Sequence, residues 1–516
     1  MSESREPIVT TKSGKVAGNF ENGLYVFKGI PFAEPPVSKM RWMPPQPVKK
    51  WNGTLSAKKY GAICHQNLMP MQMPGAPSFA ELRQDEDCLS LNIWTPGLDS
   101  ARRPVLFWIH GGAFVIGSGC EFFLDNGTLP KRGDIVLVSI NYRLGTFGFM
   151  NLKEITGGKI PATGNEGLLD QVMALDWVIE NIQAFGGDPA NITVSGFSAG
   201  GMSTGDLLGM PLARGKFQKA INRSGSANVV GSLDSAKKIS EMFLKILKLT
   251  GKDIDALRNL PTKRLLDAQQ ELNIKLREAE YRATPFQPVM DGKVLPEWPL
   301  VAIKKGSAKN IPVIAGTSLD ELKMMSIMDP ASRNLDEAGL ARRLNDLLPA
   351  ALVPEMIKTY RSALAKRGSS ASPADIWGTV NTDYLFRIGT LRLVEAQRDN
   401  GTSAYNYLFT LRSPAMGGVL GAMHGLDNPF LFGCLDKEFS GNGPEEQALA
   451  IKMQDSTIAF MLTGDPSCAS IGRWPVYGKE RLTMILDKKT RVEAAPYEEE
   501  RRIWEDYDVV SSRPLG

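Results

Sequence analysis

Short apolar runs recur along this chain and alternate with longer stretches in which apolar residues return every three or four positions. Val105–Ile109 (VLFWI), Ile135–Ile140 (IVLVSI), Ile192–Gly196 (ITVSG) and Ile311–Gly316 (IPVIAG) are short, apolar and rich in β-branched residues. A strand buried on both faces shows such near-continuous hydrophobicity, so these four read as strands of a parallel sheet. Between the second and third lies Glu166–Phe185, with apolar side chains at Leu168, Leu169, Val172, Met173, Leu175, Val178, Ile179 and Ile182. That spacing is helical, with a broad face to bury. Gly186–Pro189 (GGDP) ends the helix, because glycine caps it and proline cannot continue it. Strand, helix, strand is a βαβ unit. The expected fold class is α/β, a mostly parallel central sheet flanked by helices.

The N-terminal stretch reads differently. Up to about residue 100 the chain is rich in proline and short strand-like pieces, and Gly29–Val37 and Arg41–Val48 read as loops excluded from central strands. Ser232–Ala283 and Leu335–Arg367 are helical and polar on one face, as expected of helical insertions that cap a sheet and wall a pocket. No repeat or low-complexity tract divides the chain. Residues 1–516 are expected to form one large domain with a small β-rich N-terminal extension, long enough to bury a large core and hold a deep pocket.

Composition adds exclusions. The 60 basic and 56 acidic residues leave a net charge of +4, too small for this length to point to nucleic acid or an anionic membrane. The N-terminus (MSESREPIVTT) has no apolar signal core, and no apolar run approaches the ~18 residues of a bilayer span. A cytoplasmic monomer or small homo-oligomer acting on a small molecule is the expectation. Five cysteines (Cys64, Cys88, Cys120, Cys434 and Cys468), without a CxxC pair, suggest free thiols rather than a zinc site.

Gly196-Phe197-Ser198-Ala199-Gly200 fits G-x-S-x-G, a pattern that chance supplies roughly 0.3 times in a chain with 50 glycines among 516 residues. Context raises its value. It follows the strand ITVS and opens a small-residue segment able to start a helix, the strand–turn–helix that a nucleophile elbow requires. A nucleophilic serine needs a base. Of the three histidines (His65, His110 and His424), only His424 follows Ser198, as the Ser–acid–His order of α/β-hydrolases demands. His110 instead opens His110-Gly111-Gly112-Ala113-Phe114 directly after the strand VLFWI, where small residues can present backbone N–H groups to an oxyanion. It reads as a support of that loop. The acid is expected after Ile311–Gly316, where Asp320 and Glu321 are neighbours and spacing does not choose between them.

These residues, with many others in order, resemble the type-B carboxylesterase family of α/β-hydrolases, the branch that holds cholinesterases and bacterial p-nitrobenzyl esterases. The resemblance begins at Gly29-Ile30-Pro31-Phe32-Ala33 and runs through Glu86-Asp87-Cys88-Leu89, HGGAF, Asn141-Tyr142-Arg143-Leu144-Gly145 and Gly164-Asn165-Glu166-Gly167. It continues through Phe185-Gly186-Gly187-Asp188-Pro189, Ser198-Ala199-Gly200-Gly201, Arg223-Ser224-Gly225-Ser226 and the His424 loop to Trp474-Pro475. It implies an α/β-hydrolase fold and a serine carboxylesterase with nucleophile Ser198, base His424 and acid Glu321. It implies oxyanion donors at the N–H groups of Gly112, Ala113 and Ala199, with no metal or organic cofactor. A Gly-Ala oxyanion loop is associated with roomy sites that accept bulky alcohols.

Two departures and one match stand out. Phe197 replaces the family's glutamate before the nucleophile. Leu322 replaces the glycine after the acid. Cys64 and Cys88 match a pair that is disulfide-bonded in secreted relatives. An amidase or carbamate hydrolase would use the same triad. An adhesion protein of this fold would have lost its nucleophile, and a lipase would need an amphipathic lid that the sequence does not display.

Overall fold

The computed structural model describes residues 6–67, 82–278 and 285–507. Its centre is a sheet of eleven strands. In chain order these are β1 (Asn19–Glu21), β2 (Leu24–Pro31), β3 (Ser90–Thr95), β4 (Arg103–Ile109), β5 (Val136–Ile140), β6 (Gly187–Phe197), β7 (Lys219–Arg223), β8 (Val313–Ser318), β9 (Ala404–Phe409), β10 (Leu482–Leu486) and β11 (Arg491–Ala494). Strands follow one another across the sheet in chain order, except that β4 and β5 exchange places. Pairing is parallel from β5 through β4 and β6 to β10. The two margins are antiparallel: β1 to β2, β2 to β3 and β3 to β5 at one side, β10 to β11 at the other.

The four strands expected from the sequence are β4, β5, β6 and β8. Every residue of β4, β5 and β8 is buried, because helices cover both faces. Each fully buried Val, Leu, Ile or Phe there contributes about 1.5–3 kcal/mol of transfer free energy. The expected helix is α1 (Glu166–Asn181), and a 3₁₀ turn carries it to Phe185 before Gly186 adopts a left-handed conformation. The expected helical stretches contain helices at Leu233–Leu247, Ile254–Arg258 and Thr262–Glu278, and at Glu337–Asn345 and Val353–Lys366. Residues 279–283 of the first stretch lie outside the described residues.

One expectation is corrected. Gly29, Ile30 and Pro31 are not loop but the end of β2, beyond an irregularity between Phe27 and Ile30. The short β1 covers only Leu24–Val26 and Lys28 bridges to Lys58, so Pro31 lies past the paired stretch on that side, where its missing N–H interrupts no ladder.

Register positions the site. Ile109 at the end of β4 pairs with Gly196 of β6. Phe197, the last residue of β6, pairs with Arg223 of β7, and Arg223 pairs with Gly316 of β8. The carboxyl ends of these neighbouring strands therefore open to one edge, which is where α/β sheets place their ligands.

Candidate active site

Ser198 stands between β6 and the helix α2 (Ala199–Gly209), with φ 56° and ψ −123°. A side chain at positive φ is costly, and such strain persists only where the surroundings enforce it. Here the Ser198 N–H donates to the Arg223 carbonyl at 3.0 Å, and its own carbonyl accepts from the Met202 N–H at 2.8 Å. The turn is so tight that a Cβ on Gly196 would lie 2.1 Å from the Gly200 carbonyl oxygen, and one on Gly200 would lie 2.0 Å from that of Ile109. Ala199 is the first residue of α2, so its N–H is among the first-turn amides without an intrahelical acceptor.

The loop after β4 lies directly against this elbow. A Cβ on Gly111 would come within 3.0 Å of the Ser198 Cβ. Gly112, Ala113 and Phe114 all have positive φ (114°, 53° and 63°), and the Gly112 carbonyl accepts from both Val115 and Ile116 at 3.0 Å. The loop is thereby tightly curled. His110 supports it. Its Nδ1 contacts the Gly111 carbonyl at 2.7 Å, its ring stacks on Tyr142 at 4.4 Å, and Tyr142 donates to the His110 carbonyl at 3.1 Å. Burial pushes the His110 imidazole down to about 4, so it stays neutral near pH 7.

Glu321 follows β8 and is fully buried. One carboxylate oxygen accepts from the Ser318 N–H at 2.7 Å, and the other meets His424 Nδ1 at 2.5 Å. Its neighbour Asp320 points elsewhere, accepting from the Ala422 N–H at 2.9 Å with Lys323 at 3.8 Å. The backbones of the two loops pair, with Asp320 donating its N–H to the Ala422 carbonyl at 3.0 Å, and the neighbouring carboxylates turn to different partners. The link from the elbow to His424 is Phe197, the residue before Ser198, whose ring lies 4.5 Å from the imidazole. Among the described residues no group of three or more His, Cys, Asp or Glu side chains is arranged to hold a metal ion, and no helix is long and apolar enough to cross a membrane.

The model of the carboxylesterase family matches residues 5–504. The chain belongs to that family. It is 36% identical to para-nitrobenzyl esterase of Bacillus subtilis (strain 168), covering 96% of this chain and 98% of the relative. It is 35% identical to phenmedipham hydrolase of Pseudarthrobacter oxydans, covering 93% and 94%. Among solved structures it resembles carboxylesterase EST55 of Geobacillus stearothermophilus, with a TM-score of 0.86, 36% identity and coverage of 96% and 100%. The α/β-hydrolase fold expected from the resemblance is the fold of this carboxylesterase family member.

Of the departures from the family pattern, Leu322 is accommodated without a glycine: its φ is −104°, and its N–H reaches Thr382 Oγ1 at 3.3 Å. Cys64 and Cys88 are buried free thiols. Contact with the Cys64 thiol, together with burial, holds the Cys88 thiol well above its ordinary range. Sequence reasoning missed two groups around the base. The first is the buried pair Arg223–Asp427 at 2.6 Å, with the Tyr407 hydroxyl donating to the same Asp427 oxygen at 3.1 Å. It ties β7 to the loop after His424. The second is Phe386, whose ring lies 5.0 Å from the imidazole. No local signal marks either one, since each partner lies far away in the chain.

Proposed function

We propose that this family member is a serine carboxylesterase that hydrolyses small carboxylic esters through an acyl-enzyme, the whole chain serving as one catalytic unit. The observation that carries the reading is the buried Glu321–His424 contact at 2.5 Å, with the imidazole packed on Phe197, the chain neighbour of a strained Ser198. Glu321 holds Nδ1 protonated and leaves Nε2 as the lone-pair nitrogen, which is the tautomer a general base needs. His424 takes the Ser198 proton as the hydroxyl attacks the ester carbonyl. The N–H groups of Gly112, Ala113 and Ala199 receive the developing oxyanion, where losing one donor typically costs ~10²–10³ in rate. His424 then protonates the departing alcohol. Water, activated by the same imidazole, releases the acid and restores Ser198.

The expected outcome is that Ser198→Ala abolishes turnover of p-nitrophenyl acetate, with circular dichroism and melting temperature unchanged. Full activity in that variant would remove Ser198 from the mechanism. The names of the two bacterial relatives supply p-nitrobenzyl esters and phenmedipham as further trial substrates.

A further inference from the structure

Two phenyl rings pack against the His424 imidazole. Phe197 lies 4.5 Å from it at an interplanar angle of 40°, and Phe386 lies 5.0 Å away at 43°. Each ring arrives by a separate structural device. Phe197 ends β6 and is wedged between the oxyanion loop and the base loop. A Cβ on Gly111 would stand 3.1 Å from its ring, and one on Gly425 would stand 2.9 Å from it. Both loops thus carry a glycine where Phe197 passes.

Phe386 is buried within a single π-helical turn, Asp383–Arg387, between helices α3 (Pro373–Thr382) and α4 (Ile388–Asp399). A π-turn inserts one residue into the helical register and so re-aims a side chain. This one is braced from within. Arg387 donates from Nε and Nη2 to the two oxygens of Asp383, each at 2.6 Å. Tyr360 also donates to Asp383, and Trp504 Nε1 donates to the Tyr360 hydroxyl at 2.6 Å.

We propose that Phe197 and Phe386 are positioning residues for the catalytic base, forming an aromatic cradle that fixes the imidazole toward Ser198 and keeps charge away from it. The inference rests on the esterase reading above. A histidine that alternately gains and loses a proton must keep one orientation through both acyl transfer steps. Glu321 fixes one edge of the ring, but a single hydrogen bond leaves rotation about its own axis free, and the two packed phenyl rings limit that rotation. The charged groups on the surrounding elements are already paired or turned away. Glu321 serves Nδ1. Asp320 accepts from Ala422, with Lys323 at 3.8 Å. Asp427 pairs with Arg223 and accepts from Tyr407, and Asp383 pairs with Arg387.

Four variants test this with p-nitrophenyl acetate, reading kcat, KM and the pH dependence of kcat/KM. Phe197→Leu and Phe386→Leu should each lower kcat by about tenfold with KM within about twofold, as expected when an interaction serves the reacting base rather than substrate binding. Phe197→Tyr, which restores the ring, should keep at least about half of the activity. Phe197→Glu puts a carboxylate beside the imidazole and favours its protonated form. The acidic limb of its kcat/KM profile should move up by about one pH unit.

Wild-type kcat and an unmoved acidic limb in both leucine variants would overturn the proposal. So would equal losses in Phe197→Leu and Phe197→Tyr, or losses confined to KM. If a leucine variant fails to fold, Phe197→Tyr and Phe197→Glu decide, and an unmoved limb in the latter overturns the cradle. An active Ser198→Ala would instead overturn the esterase reading itself. An active wild type, a silent Ser198→Ala and indifferent phenylalanine variants would overturn the cradle alone.

Discussion

Replacing Glu321 by glutamine keeps the size of the side chain and removes its charge. The two oxygens of Glu321 face two donors, the Ser318 N–H at 2.7 Å and His424 Nδ1 at 2.5 Å. A glutamine has only one acceptor for them. If its oxygen stays on Ser318, its NH₂ group faces Nδ1, which must then lose its hydrogen. The proton moves to Nε2, and the base can no longer accept from Ser198. If the amide flips, two N–H groups confront each other at Ser318 in a buried site. On the proposed mechanism, either arrangement also removes the anion that stabilises the imidazolium formed during acyl transfer. Two unit charges about 4 Å apart at an effective dielectric of about 20 interact by about 4 kcal/mol, which corresponds to about 10³ in rate. Glu321→Gln should therefore lower kcat/KM for p-nitrophenyl acetate by about 10³ without loss of folded protein. Asp320→Asn retains an oxygen for the Ala422 N–H and should stay within about fivefold of wild type. The reasoning fails if Asp320→Asn is the silent variant, or if Glu321→Gln keeps more than about a tenth of the activity.

Two further outcomes follow from buried charge. Burial raises the Glu121 carboxyl to about 8 despite the hydrogen bond that Trp108 Nε1 donates at 2.7 Å. Between the ordinary value and 8 the folded state holds a proton that the unfolded state has lost, so this group's contribution to stability falls as pH rises through that window. Wild type should lose about 2–3 kcal/mol more than Glu121→Gln between pH 6 and pH 9 in urea unfolding, and parallel pH slopes would contradict this. Asp427→Asn should destabilise the fold by about 3–5 kcal/mol by leaving Arg223 buried without its counter-charge. A change below about 1 kcal/mol in urea titration would show that the pair bears no such strain.

What the sequence displayed is what local pattern encodes. Strands β4, β5 and β8 are buried on both faces, so their hydrophobicity is unbroken and their chemistry begins where the run stops, at His110, Asn141 and Leu319. Ser198 was legible because glycine is required on both sides of it. The end of β2 was not, because Pro31 there signals a loop while a half-free strand tolerates it. Asp320 and Glu321 were inseparable by spacing, since adjacent residues leaving a strand differ only in which way they turn. The turn is set by the Ala422 and Ser318 amides. The π-turn at Phe386 was invisible, because one extra residue in a helix barely alters an apolar period of three to four. Arg223 and Asp427 meet only through the sheet.

The register described for β6, β7, β8 and β9 also sets a timetable. Ser198, Glu321 and His424 hang from different strand ends, and the base loop follows β9, which pairs with β8. A chain emerging from the ribosome presents its serine elbow first and its imidazole last. Contacts so distant along the chain form late, because closing long loops precedes their reward. Until β9 has joined the sheet, the elbow at Ser198 stands without the His424 loop that follows that strand. On the proposed triad, hydrolysis of a chromogenic ester would therefore report on the completed sheet, and a partly folded chain is expected to be silent rather than weakly active.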